Sequence, residues 1–131
     1  MIILDENIPG DQRKLVQVEV KTARQVGFDI ENAGLKDHEI PRFLLRLKNP
    51  TFFSLDDDFY DKKLRHQKYC IVYLDVAEDE AATYAVKLLR HKNFDTHSKR
   101  MGKVIQVSTK KIKYWHVHDE MPSIVMWGNT N

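Results

Sequence analysis

The chain has 131 residues, of which 42% are hydrophobic, 31% charged and 10% aromatic, and these values fit one globular domain with a single core. They exclude a disordered or repetitive chain, and no apolar run approaches the roughly 20 residues that cross a bilayer. Since the apolar N-terminus meets Asp5 too early for a signal peptide, we expect a cytoplasmic protein without membrane contact.

The net charge of +2 conceals two halves of opposite sign. Residues 1–61 carry 8 Lys/Arg and 12 Asp/Glu, a net charge of −4, whereas residues 62–131 carry 13 and 7, a net charge of +6. An acidic centre that holds divalent cations, beside a basic surface that holds phosphates, is the pairing that a metal-dependent nuclease needs. Charges scattered over a solvated surface are the commoner origin of such counts.

The first part of the chain predicts a strand, a short helix and a second strand. Residues 1–4 are apolar and end in Asp5, and residues 9–11 offer a start for a helix over 12–16. Valines then alternate with polar residues, which predicts a second strand over residues 16–23.

A helix and another acid-terminated strand follow. Asp37 is predicted to be the N-cap of a helix that runs to about Lys48. Residues 51–55 are an apolar strand candidate that breaks into four carboxylates, those of Asp56, Asp57, Asp58 and Asp61. Because a parallel α/β sheet places its chemistry at the carboxyl ends of its strands, two strands that end in acids are the main indication of function.

The second half predicts alternating elements and then a hairpin. They are a helical turn at 61–66, a strand at 70–74, a helix at 78–91, a loop at 93–102 and two hairpin strands at 103–108 and 111–118. Cys70, the one cysteine, is expected in the core without a catalytic role. We predict an α/β fold with a mostly parallel sheet and helices on both faces, in one domain over residues 1–118. A short, poorly ordered tail is predicted at 119–131.

Four aspartates from separate segments are candidate ligands for a divalent cation: Asp5, Asp37, Asp56 and Asp58. Mg²⁺ and Mn²⁺ prefer carboxylate oxygens and need only one or two protein carboxylates per ion besides water and substrate phosphate. A lone aspartate at a strand end is more often a turn former or a cap, and this competing role is strongest for Asp37. For the set of four, metal binding is the preferred interpretation.

Three motifs resemble, in the same order, those of the PIN-like family DUF5615. Residues 1–9, MIILDENIP, resemble its opening LLDEN-x-P; residues 36–40, KDHEI, resemble SDEEI; and residues 54–59, SLDDDF, resemble T-x-D-x-D-F. The resemblance covers roughly the first 60 residues. Ser54 keeps the hydroxyl of the usual Thr, and Lys36 replaces the usual Ser, so neither departure removes a ligand.

This resemblance implies a PIN-like α/β/α sandwich whose acidic cluster, formed by Asp5, Asp37 and Asp56 with Asp58 as a weaker fourth, binds Mg²⁺ or Mn²⁺. Such proteins resemble PIN-domain ribonucleases, including the toxins of toxin–antitoxin pairs. The preferred function is therefore metal-dependent hydrolysis of RNA, with RNA as substrate and an antitoxin protein or a second copy, in a homodimer, as partner. Two alternatives stay open: a catalytically idle PIN-like module that binds nucleic acid or a partner protein, and a phosphatase that acts on small phosphoesters.

A basic run follows the acidic loop directly. Lys62, Lys63 and Arg65 are therefore predicted to hold the RNA phosphate chain over the metals, although basic surfaces are common.

Aromatic residues and histidines near the C-terminus are weaker candidates. Tyr114, Trp115 and Trp127 would suit base stacking, with core packing as the default role. His116 and His118 would share one face of a strand and suit a transition metal, but a solvated strand face is the commoner role of such a pair.

Overall fold

A seven-stranded sheet runs through the centre of the protein, whose computed structural model describes residues 1–30 and 34–129. The strands are β1 (Ile2–Leu4), β2 (Arg24–Gln25), β3 (Thr51–Ser54), β4 (Cys70–Asp75), β5 (Lys103–Ser108), β6 (Lys111–His116) and β7 (Ser123–Met126). Their order is β2-β1-β3-β4-β5-β6-β7, with parallel pairing from β2 to β5 and antiparallel pairing of β6 and β7. The predicted α/β class with a mostly parallel sheet is confirmed, and the carboxyl ends of five strands meet at one edge.

Short helices connect these strands. The α-helices are α1 (Gly10–Glu19), α2 (Ile40–Leu44), α3 (Ala81–Arg90) and α4 (His97–Arg100). Short 3₁₀ turns lie at Asp37–Glu39, Asp57–Phe59, Lys62–Leu64, Glu78–Glu80 and Trp127–Asn129. Within the described ranges, no helix has the length and apolar content needed to cross a membrane.

Helices lie on both faces of the sheet, but they cover the two faces unequally. On the first face, α1 and α3 pack on a core that extends from β1 to β7. On the second face, α2 and the turn at Asp57–Phe59 pack on Ile3, Phe52 and Ile71. Among the described residues, the core on this second face contains Val104 of β5 and no residue of β6 or β7. The second helical layer is therefore incomplete.

The strand predicted over residues 16–23 is wrong, because α1 continues to Glu19 and β2 is limited to Arg24–Gln25. Alternating valines fit both the two-residue repeat of a strand and the repeat of a helix. Val16 and Val20 are about one helical turn apart, and only Val18, 71% exposed, lies on the solvent side. The tertiary structure favours the helix, since the buried side chain of Gln12 accepts a hydrogen bond of 2.9 Å from the backbone N–H of Ala82.

Other predicted helix limits also changed. α2 ends at Leu44, short of Lys48, and the predicted loop at 93–102 contains α4. The predicted helix at 78–91 begins as a 3₁₀ turn and becomes α-helical only at Ala81. The strand predicted from residue 70 is confirmed, and Cys70 is fully buried as expected.

The prediction of a poorly ordered tail from residue 119 is wrong for the described part of that segment. Ser123–Met126 forms β7, which pairs with β6, so the sheet extends beyond residue 118. Trp127 is buried and donates a hydrogen bond of 2.6 Å from Nε1 to the carbonyl oxygen of Ser108. Residues 130 and 131 of the predicted tail lie outside the described residues.

We expect Trp127→Ala to lower the free energy of unfolding by about 3 kcal/mol, because it removes a buried ring and leaves the Ser108 carbonyl without this donor. Met121→Ala is the control from the same segment, since Met121 is 76% exposed, and should change stability by less than about 0.5 kcal/mol. Urea unfolding measures both. Equal stability of the two variants would contradict the docking of this segment on the core.

Candidate active site

Asp5 lies at the carboxyl end of β1 and is almost completely buried. Its backbone N–H donates to the carbonyl oxygen of Phe53, which extends the pairing of β1 with β3 by one residue. The buried amide of Gln25 donates to the carbonyl oxygens of Asp5 and Ile8 at 2.9 and 2.8 Å. These contacts fix the backbone that presents the Asp5 carboxylate.

The hydroxyl of Ser54, the last residue of β3, connects the acidic segments. It donates to Asp5 Oδ2 at 2.7 Å and accepts from Asn7 Nδ2 at 3.1 Å and from the Asp56 N–H at 3.0 Å. A hydroxyl has one proton to donate and two lone pairs to accept with, so all three positions are used. Ser54 therefore holds the loops after β1 and β3 in one arrangement.

Asp56 both shapes a turn and joins an acidic group. Its Oδ1 accepts a hydrogen bond of 2.9 Å from the Asp58 N–H, which caps the turn at Asp57–Phe59. The turn is anchored by Phe59, whose ring packs edge-on against Phe52 with centroids 5.1 Å apart. This anchor fixes the turn beside the carboxyl end of β3.

Asp37 is not the N-cap of its helix, contrary to the prediction. Lys36 occupies the cap position, and its N–H donates to Glu39 Oε1 at 3.1 Å. Because Glu39 supplies the capping carboxylate, the Asp37 side chain is left to face the turn that follows β3. The structure therefore removes the strongest competing role for Asp37.

The structure brings three of the four predicted aspartates into one group. Asp37, Asp56 and Asp58 each offer a carboxylate oxygen, and these oxygens lie within 4.8 Å of one another. Asp5 borders this group behind Ser54, close enough for the charge of Asp37 to raise the pKa of Asp5. The three carboxylates could hold a metal ion, although exposed acidic groups are common without one.

Burial and crowding raise the pKa values of two of these carboxyls. Burial is the main cause for Asp5, whose pKa is about 6, while the hydrogen bonds from Ser54 and from the Glu6 backbone oppose the shift. For Asp37, burial contributes most, followed by its hydrogen bond to Asp56 and by the charges of Asp56 and Asp58. A cation bound between these carboxylates would lower their pKa values, opposite to the effect of the neighbouring negative charges.

Sequence reasoning missed three polar residues at this edge. Ser54 and Asn7 position the acids, but their roles depend on long-range hydrogen bonds. Asn7 and Ser54 are separated by 47 positions in the sequence, and Ser54 and Asp5 by 49. Asp75 ends β4 and accepts hydrogen bonds from Tyr73 Oη at 3.2 Å and from Gln106 Nε2 at 3.0 Å. The signal for Asp75 was present, because residues 70–75 are a third apolar run that ends in an acid.

The predicted placement of the basic run over the acids is wrong for Arg65. Its guanidinium donates to the carbonyl oxygens of His116 and Asp119 at 3.1 and 2.8 Å. His116 pairs with Lys103 at the start of β5, so Arg65 lies at the amino edge of the parallel strands, opposite the acids. The Lys62 ammonium lies 5.2 Å from the centroid of the Trp115 ring, on the same side. RNA binding by these residues stays a prediction.

Two of the weaker candidates have structural roles instead. Trp127 and Tyr114 pack in the core on the first face, as the default interpretation expected. The predicted pairing of His116 and His118 on one strand face is wrong, because β6 ends at His116. His118 has a φ of 73° and lies in the turn that follows.

No family model, no curated protein and no solved structure matches this chain.

We expect Asp5→Asn to remove a pH-dependent loss of stability. The folded pKa of about 6 exceeds the ordinary 3.8, so the folded state binds the proton more tightly and stability falls as pH rises between about 4 and 6. The asparagine stays neutral, so the variant should exceed the wild type by up to about 3 kcal/mol at pH 7.5 and match it near pH 4.

Urea unfolding at the two pH values, in chelator, measures this difference. The matched control is Asp79→Asn, which makes the same change at an exposed position. A stability difference for Asp5→Asn that is the same at both pH values would contradict the electrostatic cause.

Proposed function

We propose that the chain is a Mg²⁺- or Mn²⁺-dependent ribonuclease of the PIN-like type. The observation that carries this proposal is the grouping of Asp37, Asp56 and Asp58, from two separate segments, beside the buried Asp5 from a third. Two like charges 4 Å apart repel by about 1 kcal/mol in water and about 4 kcal/mol near a protein surface. Such a grouping opposes folding unless a cation binds. The three resembling motifs of the first 60 residues supply all four of these acids.

The donor set fits these ions. Mg²⁺ binds hard oxygen ligands at 2.0–2.1 Å, so two oxygens on one ion are at most about 4.2 Å apart. The three carboxylate oxygens already lie within 4.8 Å of one another, and Asp37 and Asp58 are exposed side chains with room to move by the small difference. Soft ligands are absent from this group, which disfavours zinc or copper.

Each residue has a distinct role in this proposal. Asp37, Asp56 and Asp58 would hold the ion, which when bound lowers the pKa of water and offsets charge on the scissile phosphate. Asp5 supplies a further negative charge at a buried position that cannot drift, because Ser54 and the β1–β3 pairing hold it. Ser54 and Asn7 are positioning residues, like the groups that orient metal ligands in other sites.

Asp56→Asn tests the catalytic role. The amide keeps the size of the side chain and an oxygen that can cap the turn, but it removes one charge and a hard ligand. We expect cleavage of single-stranded RNA in Mg²⁺ or Mn²⁺ to fall by about 100-fold. Asp57→Asn is the matched control, because Asp57 is exposed in the same turn and lies outside the acidic group.

The two alternatives give different results in the same assay. Cleavage that persists in chelator, or that is equal in the Asp56→Asn and Asp57→Asn variants, would rule out the proposed mechanism. RNA binding by the wild type without cleavage supports the idle module. Hydrolysis of a small phosphomonoester without RNA cleavage supports the phosphatase.

Metal binding can also be measured without activity. We expect Mg²⁺ to raise the thermal midpoint of the wild type, because a ligand that binds only the folded state stabilises it in proportion to ln(1 + [L]/Kd). The shift should be much smaller for Asp56→Asn and unchanged for Asp57→Asn. Equal shifts in all three proteins would show that the ion binds elsewhere.

A further inference from the structure

One row of side chains connects the acidic site to the far edge of the sheet. Ser54 of β3 pairs in register with Tyr73 of β4, which pairs with Gln106 of β5, then with Lys113 of β6 and with Ile124 of β7. Residues in register on neighbouring strands share a face, so these side chains lie on the second face of the sheet. With strands about 4.8 Å apart, the row is about 19 Å long.

Beyond Ser54, this row of side chains is partly exposed to solvent. We call the side chains of Tyr73, Gln106, Lys113 and Trp115 the open face. In the described chain, the core under α2 and the turn at Asp57–Phe59 stops at Val104, and the side chains of the open face are only partly buried. Ile124 at the end of the row is 55% exposed. In the described chain, this face of the sheet is thus fully covered on one side and only partly covered on the other.

The open face begins at the acidic site. Tyr73 is the cross-strand neighbour of Ser54. The Ser54 hydroxyl is hydrogen-bonded to both the Asp5 carboxylate and the Asp56 backbone N–H. The charges of Asp56 and Asp57 contribute, after burial and Asp75, to raising the pKa of Tyr73, which reflects how near they are. A chain lying along the row would therefore reach Tyr73, which neighbours both Ser54 and the turn that carries Asp58.

The chemistry of the open face suits a flexible polyanion with flat groups. The partly exposed ring of Tyr73 provides a stacking surface, whereas the ring of Trp115 already lies against the cations of Lys62 and Arg65. Four cations lie on β6 or beside Trp115: Lys111 and Lys113 on β6, and Lys62 and Arg65, whose charged groups lie 5.2 and 5.7 Å from the centroid of the Trp115 ring. Asp75, the acid that ends β4, accepts hydrogen bonds from Tyr73 and Gln106. An apolar helix from a protein partner would meet a lysine and a glutamine at the centre of the row.

We propose that single-stranded RNA lies across the open face from β6 to β4, with phosphates near Lys113 and a base stacked on Tyr73, and so enters the acidic site beside Ser54. This inference rests on the proposed function for the choice of RNA as the polyanion. The cations of the second half of the chain then act along the path of the substrate, at a distance from the acids.

Fluorescence anisotropy with a labelled single-stranded RNA of about ten nucleotides, in chelator to prevent cleavage, tests this path. We expect Lys113→Glu to weaken binding by about 10-fold or more, and Lys113→Ala to reduce the slope of log affinity against log salt by about 0.7. Lys14→Glu is the matched control, because Lys14 is exposed on α1, on the opposite face. Tyr73→Leu should weaken binding by about 10-fold, and Tyr73→Phe, which keeps the ring, should not.

Failure of this inference is separable from failure of the proposed function. Binding is measured in chelator, where no cleavage occurs, so its dependence on Lys113 and Tyr73 is read whether or not the wild type cleaves. RNA cleavage combined with equal binding by the Lys113→Glu and Lys14→Glu variants would overturn the path and leave the ribonuclease standing. An absence of RNA binding would overturn the path as well. The path would also be overturned if sedimentation showed a dimer that Ile124→Glu dissociates while Lys113→Glu left the RNA affinity unchanged. A second copy of the chain would then occupy the face.

Discussion

The candidate site depends on the hydroxyl of Ser54. Parallel pairing of β1 and β3 places this residue beside Asp5, and its single proton and two lone pairs join Asp5, Asn7 and the Asp56 backbone. A threonine could supply the same bonds, whereas alanine would leave the buried Asp5 carboxylate without its donor. The arrangement of the acids therefore follows from one strand pairing and one hydroxyl.

The crowded acids lower the free energy of unfolding. Burial raises the pKa of Asp5 to about 6, and neighbouring charges raise that of Asp37 further than burial alone would. Core packing of Phe52 and Phe59 holds the turn that carries Asp56 and Asp58 despite this repulsion. Electrostatic repulsion of this kind is expected where a functional site needs charges that destabilise the folded state.

The unequal covering of the two faces connects the fold to the proposed function. α2 ends after five residues, and the segment after β3 forms two 3₁₀ turns where a longer helix would have covered the sheet. β6 and β7 extend the sheet sideways, and among the described residues no additional helix packs on them on this side. The result is a partly exposed strip of strands that starts beside the acids. A long flexible substrate can use this geometry, and a small phosphoester does not need it.

Local patterns in the sequence were sufficient for the strand-forming apolar runs, for the acids that end two of them and for the α/β class, because each depends on residues close together in the chain. The same patterns failed where two structures fit equally well: the alternating valines of α1 also satisfy a helical repeat, and the choice was made by packing on α3 and by the bond from Ala82 to Gln12. Ser123–Met126 is too short to be distinguished from a tail until β6 offers its edge. The sequence by itself determined which acids could meet. Only the tertiary structure decided that Asp37 meets the acids after β3, that Arg65 is held at the opposite edge, and that one face stays partly uncovered, since each outcome depends on contacts between distant segments.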